Sequence, residues 1–112
     1  MDDYTLSNAF SKAVDSFKLT ENDVHFILNV SKESGASVMH RTALIRIGTN
    51  QGDKAKLFLN IYNAVMRMFK GDTDTAIAWM SKDNDMLQNQ PPFSFLGDES
   101  SMKYLARFLG VL

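Results

Sequence analysis

The chain has 112 residues, of which 45% are hydrophobic and 11% aromatic, enough for one folded domain with a real core and incompatible with a disordered chain. It has no cysteine, which excludes disulfides and thiolate chemistry, and no apolar run approaches the ~18 residues of a membrane span. Because the first residues are acidic and polar, unlike a secretory signal, we expect a cytoplasmic protein with no membrane contact.

The net charge of −1 is distributed unevenly along the chain. Residues 1–33 carry three basic and six acidic side chains, and residues 72–112 also carry three basic and six acidic ones. Residues 34–71, in contrast, carry six basic side chains and one acidic side chain. A basic middle between acidic ends has two interpretations: a surface that faces phosphates, or a segment that holds the acidic ends by charge complementarity. The second is favoured, since nucleic-acid-binding domains usually have a larger excess of cations.

The N-terminal half begins with two predicted helices. Apolar residues recur at spacings of three and four over residues 5–17, which indicates an amphipathic helix, and Lys18 and Leu19 interrupt the pattern. Thr20 then opens a capping box with Asp23, and a second apolar stripe follows over residues 24–30. Both stripes need a partner surface, so we expect them to pack in one bundle.

A turn is predicted at residues 34–37 and a third helix over 38–47. Two helices joined by a short turn that contains glycine have the outline of a helix-turn-helix, and the second would carry Arg41 and Arg46. These two arginines are the candidate DNA contacts. The same outline also arises in any small helical bundle, and no cluster of base-reading side chains accompanies it.

The longest predicted helix spans residues 52–69 and is apolar over most of its circumference, which is typical of a central helix. Its second apolar side is a candidate surface for a homodimer. The preceding segment, residues 48–54, contains two glycines and a lysine but does not fit a phosphate-binding loop. Three residues separate the two glycines where such a loop has four, an aspartate stands between the second glycine and the lysine, and no strand precedes the segment.

In the C-terminal half, Gly71 is predicted to end the long helix and Asp72 to cap a short helix that contains Trp79. A polar loop with the apolar pair Met86-Leu87 follows, and Pro91-Pro92 prevents further helix there.

A last helix is predicted to begin at Asp98 or Ser100 and to carry apolar residues to Leu109. The apolar end, Gly110-Val111-Leu112, has two interpretations that remain open: docking into the chain's own core, or contact with a partner.

No catalytic or metal-binding pattern is present in the sequence. His25 and His40 have no partners at metal-ligand spacing, and there is no recognisable Ser-His-Asp order, nucleophile elbow or glycine-rich cofactor loop. We therefore expect a protein that is not an enzyme and that takes no metal and no cofactor. Its function is expected to be recognition.

From about residue 55 to the end, the chain resembles the toxin-binding domain of Xre/MbcA/ParS-type antitoxins. The matching positions follow the family's order and spacing. They are Gly71-Asp72, Ala76, Trp79-Met80, Asn84 with Leu87, Pro92 with Leu96, Asp98-Glu99-Ser100 and Tyr104-Leu105. The chain departs from the family pattern at Met80, where leucine is usual, at Asn89-Gln90, and at Ser100, which replaces a turn glycine.

The resemblance implies an antitoxin of a type II toxin-antitoxin system. Such a protein would neutralise a RES-type toxin, an enzyme that consumes NAD, by binding it and occluding its active site. The implied toxin-binding residues lie in the loop after Trp79 and at the end of the last helix. They are Asn84, Leu87, Pro92, Arg107, Phe108, Gly110, Val111 and Leu112. Trp79 and Ala76 are expected to support this surface from beneath.

The expected fold is thus all-α, a compact bundle of about six helices. Residues 1–50 are expected to form a helix-turn-helix-like region that also dimerises, and residues 51–112 the toxin-binding half. The expected partners are a cognate toxin, a second copy of the chain, and operator DNA in the alternative in which the N-terminal half acts as a transcriptional autoregulator.

Overall fold

The computed structural model describes residues 1–112 and is built from six α-helices. Their bounds are α1 (Asp3–Ser16), α2 (Glu21–Leu28), α3 (Lys32–Met39), α4 (Asn50–Met68), α5 (Thr73–Ser81) and α6 (Glu99–Phe108). Two short 3₁₀ turns, Asp85–Leu87 and Pro92–Leu96, lie between α5 and α6. The prediction of an all-α bundle of about six helices is confirmed. No helix combines the length and the apolar character that a membrane span requires.

Helix α4 is the centre of the bundle, and α1, α2, α5 and α6 all pack against it. Phe58 on α4 is fully buried, with its ring centroid 5.4 Å from that of Phe10 and 6.5 Å from that of Phe17. One continuous cluster of buried side chains runs from Leu6 on α1 to Ala106 on α6. The regions 1–50 and 51–112 therefore share a single core, and the boundary between them falls in the first turn of α4.

Local capping signals explain where the helices begin. The Thr20 hydroxyl accepts a hydrogen bond from the Asp23 backbone N–H at 3.2 Å, and the Asp23 carboxylate accepts one from the Thr20 N–H at 2.8 Å, which completes the predicted capping box. Asp72 caps α5 as predicted. The predicted end of α4 is off by one residue. Lys70, with a φ of 54°, occupies the left-handed position after the cap Phe69 and donates to the Arg67 carbonyl at 3.2 Å, and Gly71 follows with a φ of 82° and donates to the Met66 carbonyl at 2.8 Å.

The predicted third helix is wrong in its position. Ser31 caps α3, its hydroxyl accepting from the Ser34 N–H at 3.1 Å, so the predicted turn at residues 34–37 lies inside a helix. Gly35 is used for close packing, since a Cβ there would lie 3.3 Å from the backbone nitrogen of His25 on α2. The helix ends at residue 39, and Arg41 follows with a φ of 63°.

Residues 40–49 form an irregular segment fixed by contacts with distant parts of the chain. The Ser7 hydroxyl of α1 accepts a hydrogen bond from the Ile45 N–H at 2.7 Å, and the Asp3 carboxylate accepts one from the Ile47 N–H at 2.8 Å. The far end of the segment lies against α4, where a Cβ added to Gly52 would stand 2.2 Å from the Arg46 carbonyl oxygen. Only glycine fits at that position, so the loop backbone can lie directly on the first turn of α4.

Candidate partner-binding surface

The loop after α5 is organised by Asn84. Its side-chain oxygen accepts from the Met86 N–H at 3.0 Å, and its backbone carbonyl accepts from the N–H groups of Leu87 and Asn89, both at 3.0 Å. The Asn84 N–H in turn donates to the Gln90 carbonyl at 3.1 Å. An asparagine that both receives and donates in this way builds a closed turn. Asn84 therefore shapes the loop, and Met86, 71% exposed, forms its tip.

The structure places two of the expected toxin-binding residues in the core. Leu87 is fully buried and Pro92 is also buried, so neither side chain is available to a partner in this conformation. The physical reason is the same for both: the loop is short and polar, and its few apolar groups are the ones that anchor it to the bundle. Both residues support the surface, and the exposed neighbour of Leu87 is Met86.

Helix α6 is amphipathic, and its outward side retains large groups. Met102, Leu105 and Ala106 are fully buried against the core. On the opposite side, Tyr104 is 45% exposed and Phe108 is 39% exposed. These two rings are four residues apart and therefore lie one above the other on the same side of the helix.

The remaining predicted residues at the end of the chain divide between core and surface. Gly110 has a φ of 77°, and the Val111 N–H donates to the Ala106 carbonyl at 2.9 Å, which closes α6. Val111 packs against the core, whereas Leu112 is 58% exposed. The two interpretations of the apolar end therefore apply to different residues: Val111 docks into the chain's own core and Leu112 faces outward.

We call Tyr104, Arg107, Phe108 and Leu112 the α6 face. Arg107 is exposed and makes no ion pair with an acidic group of the chain. Rigid aromatic rings beside a free arginine are the side chains most enriched at the energetic centre of protein interfaces. The ring of Tyr104 is held in place by stacking on Phe95, with centroids 5.6 Å apart and planes 16° apart. The face is therefore pre-formed and suited to binding another protein.

Trp79 and Ala76 lie on α5, and neither side chain is fully exposed. Ala76 is fully buried, and Trp79 is half-buried with its ring centroid 6.3 Å from that of Phe69. The exposed Met86 and Tyr104 were not expected among the contact residues. Tyr104 could have been found from the helical pattern, because it falls on the side of α6 opposite Met102 and Leu105.

The candidate DNA contacts are held by acidic groups of α1. An Arg41 guanidinium nitrogen lies 3.3 Å from an Asp15 carboxylate oxygen, and an Arg46 nitrogen lies 3.5 Å from an Asp3 oxygen. Neither arginine is on a helix, because both lie in the irregular segment after α3. The basic middle of the chain thus holds part of the acidic N-terminal region, which was the favoured interpretation of the charge distribution.

The two histidines have structural partners. A nitrogen of the His40 ring lies 2.8 Å from a Glu21 carboxylate oxygen, and this pair connects the end of α3 to the start of α2. The His25 ring bonds the carbonyl oxygen of Val30. No group of three or more His, Asp or Glu side chains is arranged to hold a metal ion.

The cap of α6 leads to a prediction on pH. Hydrogen bonds from the Ser101 backbone N–H and hydroxyl, together with the charge of Lys54, lower the pKa of the Asp98 carboxyl below 3.8. Since the Asp98 carboxyl has a lower pKa in the folded state than in the unfolded state, the charged cap stabilises the protein at pH values above 3.8. This contribution disappears as the pH falls through the folded-state pKa.

Asp98→Asn, which keeps the accepting oxygen, is therefore expected to lower the free energy of unfolding at neutral pH and to match the wild type in strong acid. Urea titrations at several pH values measure the difference, with Asp83→Asn in the exposed loop as the control. A difference that is independent of pH would contradict this account.

Comparison with protein-family models gives no match to this chain, and a search of curated proteins gives none either.

Proposed function

We propose that this chain is an antitoxin that binds a NAD-consuming toxin of the RES class and covers its active site. Two independent features support the proposal. The first is the residue series from Gly71 to Leu105, whose order and spacing resemble the toxin-binding domain of Xre/MbcA/ParS-type antitoxins. The second, which carries the proposal, is the α6 face, where two exposed aromatic rings and a free arginine stand on a helix fixed by the core.

Occlusion requires a rigid surface and no chemistry of its own. Asp98 fixes the start of α6, Gly110 and Val111 fix its end, and Met102 and Leu105 anchor its inner side. A helix held at both ends loses little conformational entropy on binding, which increases affinity. The half-exposed rings of Tyr104 and Phe108 supply a rigid contact area with which a protein can cover the mouth of a substrate site.

The direct test is co-expression with the protein encoded by the adjacent gene. A tagged copy of this chain is expected to retain that protein through purification, to restore growth of cells that express it, and to keep their NAD concentration at the level of uninduced cells. The empty vector is the control. If the adjacent protein is toxic but is neither retained nor neutralised, the proposal fails.

The DNA-binding alternative receives less support from the structure. Arg41 and Arg46 are paired with Asp15 and Asp3, and the exposed first turn of α3 presents Lys32 and Glu33 side by side, so its charges cancel. A recognition helix requires unpaired basic or amide side chains that point into the groove. Helices α2 and α3 pack on each other across a three-residue connection, but α3 lacks this surface chemistry.

A further inference from the structure

The exposed side of α4 carries Lys56, Asn60, Asn63 and Arg67, and Lys70 follows just beyond the end of the helix. We call these five residues the α4 stripe. All five are exposed, and the four on α4 recur at spacings of three and four residues, so they lie on one side of the helix over about 16.5 Å, given a rise of 1.5 Å per residue. Lys70 lies in the turn after the helix, with a φ of 54°, and borders the same depression as Asn63 and Arg67. None of its side chains makes an ion pair or a hydrogen bond within the protein.

The stripe continues onto α1 through a groove. Lys12 of α1 and Lys56 of α4 both line this groove, which has a volume of about 610 Å³. Its apolar lining is formed by Met1, Ala9, Ala13, Leu59 and Tyr62. Asn63 lines both this groove and the neighbouring depression beside Arg67 and Lys70, so the two are continuous. The result is a channel with four cations, two amides and an apolar lining with one aromatic ring. The acidic group on this side of α4 is Asp53, at the start of the helix.

We propose that the α4 stripe and Lys12 bind the phosphate backbone of a nucleic acid. Unpaired lysine and arginine side chains neutralise phosphates, and amide side chains such as those of Asn60 and Asn63 donate to phosphate oxygens or base edges. The half-buried Tyr62 in the groove lining offers a surface on which a base can stack, as in proteins that bind single strands. The surface is distinct from the α6 face and from Arg41 and Arg46, so it does not depend on the proposed antitoxin function.

The grouping of unpaired cations along one groove carries the inference. Arg41, Arg46 and Lys103 pair with acidic side chains, whereas the four cations of the channel make no ion pair and line two adjoining depressions. The chain as a whole has a net charge of −1. General attraction between the protein and a polyanion is therefore absent. Binding must depend on the local arrangement of the stripe, and removal of the same number of charges elsewhere on the surface should have little effect.

The test measures fluorescence anisotropy of a labelled mixed-sequence DNA strand, its duplex and the matching RNA strand, at increasing salt concentration. The wild type is expected to bind at low salt, with a slope of log K against log salt of about −3 for the single strands, from about −0.7 for each of four cations. Lys56→Gln/Arg67→Gln is expected to weaken binding at least about tenfold and to make the slope shallower by about 1.4. The control, Lys32→Gln/Lys82→Gln, removes equal charge from exposed positions elsewhere and should bind as the wild type does.

Three results would overturn the proposal: no binding at low salt, equal binding by the two double variants, or equally tight binding of a labelled polyglutamate peptide. The last would assign the stripe to an acidic protein. The ratio of single-strand to duplex affinity identifies the form of nucleic acid bound.

Because Lys56 and Arg67 are exposed, circular dichroism and urea unfolding should show the Lys56→Gln/Arg67→Gln variant to be folded, and its ability to neutralise the adjacent gene product should be unchanged.

Discussion

Phe58→Ala is expected to lower the free energy of unfolding by about 3–5 kcal/mol. Phe58 is fully buried in the middle of α4, and its ring packs against Phe10 of α1 and against Phe17, which caps the end of α1. It also lies near Tyr62, whose ring centroid is 6.5 Å away. Truncation removes the contact surface of all three rings and leaves a cavity that the helices on either side cannot close. Since domains of this size are stable by about 5–15 kcal/mol, the variant should lose a large part of its stability.

Urea unfolding followed by circular dichroism measures the loss, and Phe26→Ala is the matched control. Phe26 is 39% exposed and stacks on Phe93 with centroids 5.8 Å apart, so its removal exposes little core and should cost about 1 kcal/mol. If Phe58→Ala is no more destabilising than Phe26→Ala, α4 is not the centre around which the core is built. Phe58→Leu should lie between wild type and Phe58→Ala, because it retains most of the apolar volume.

The parts of the fold that the sequence predicted depend on local chemistry. The capping box at Thr20 and the caps at Asp72 and Asp98 each act within one helical turn, and all three are present. The end of α4 was predicted to within one residue, since Lys70 takes the left-handed position expected for Gly71. The central role of α4 was also predictable, because a long helix that is apolar over most of its surface must be covered by its neighbours.

The course of residues 31–49 could not be predicted because contacts distant in sequence determine it. In the sequence, the turn signal of Gly35 obscures the helix cap at Ser31. A glycine usually indicates a turn, but here Gly35 lies inside α3 and allows the backbones of α2 and α3 to approach each other. The following segment is held by Ser7 and Asp3, about forty residues away, and no local pattern records that pairing. The apolar residues that suggested a helix, such as Ile45, instead anchor an irregular loop.

For the candidate surface, composition and periodicity could identify the apolar residues but could not always decide whether a side chain is buried in the core or exposed to solvent. In the loop, Met86 and Leu87 are adjacent and both apolar, and the turn built by Asn84 decides that Leu87 is buried and Met86 is exposed. On α6 the helical period does fix direction, and Phe108 is exposed as its position requires. Surface predictions from sequence are therefore stronger on regular helices than in short loops with a fixed turn.

Phe108→Ser is expected to weaken binding of the adjacent gene product by about 30-fold or more, because an aromatic hot spot contributes about 2 kcal/mol or more. The side chain is 39% exposed on α6, beside the free Arg107, so its removal takes contact area from the partner while the inner side of the helix remains buried. Biolayer interferometry measures the affinity, and growth with the NAD concentration of cells that co-express both proteins measures neutralisation.

The matched control is Met68→Ser, which removes a large apolar side chain that is 46% exposed on α4. If loss of exposed apolar area alone mattered, both variants would neutralise equally poorly, whereas the proposal requires that only Phe108→Ser does so. Leu112→Ser provides a second variant that does not depend on the stability of α6, since Leu112 lies beyond the helix and is 58% exposed. If Phe108→Ser and Leu112→Ser both bind and protect as well as Met68→Ser, the α6 face is not the contact surface, even where the chain proves to be an antitoxin.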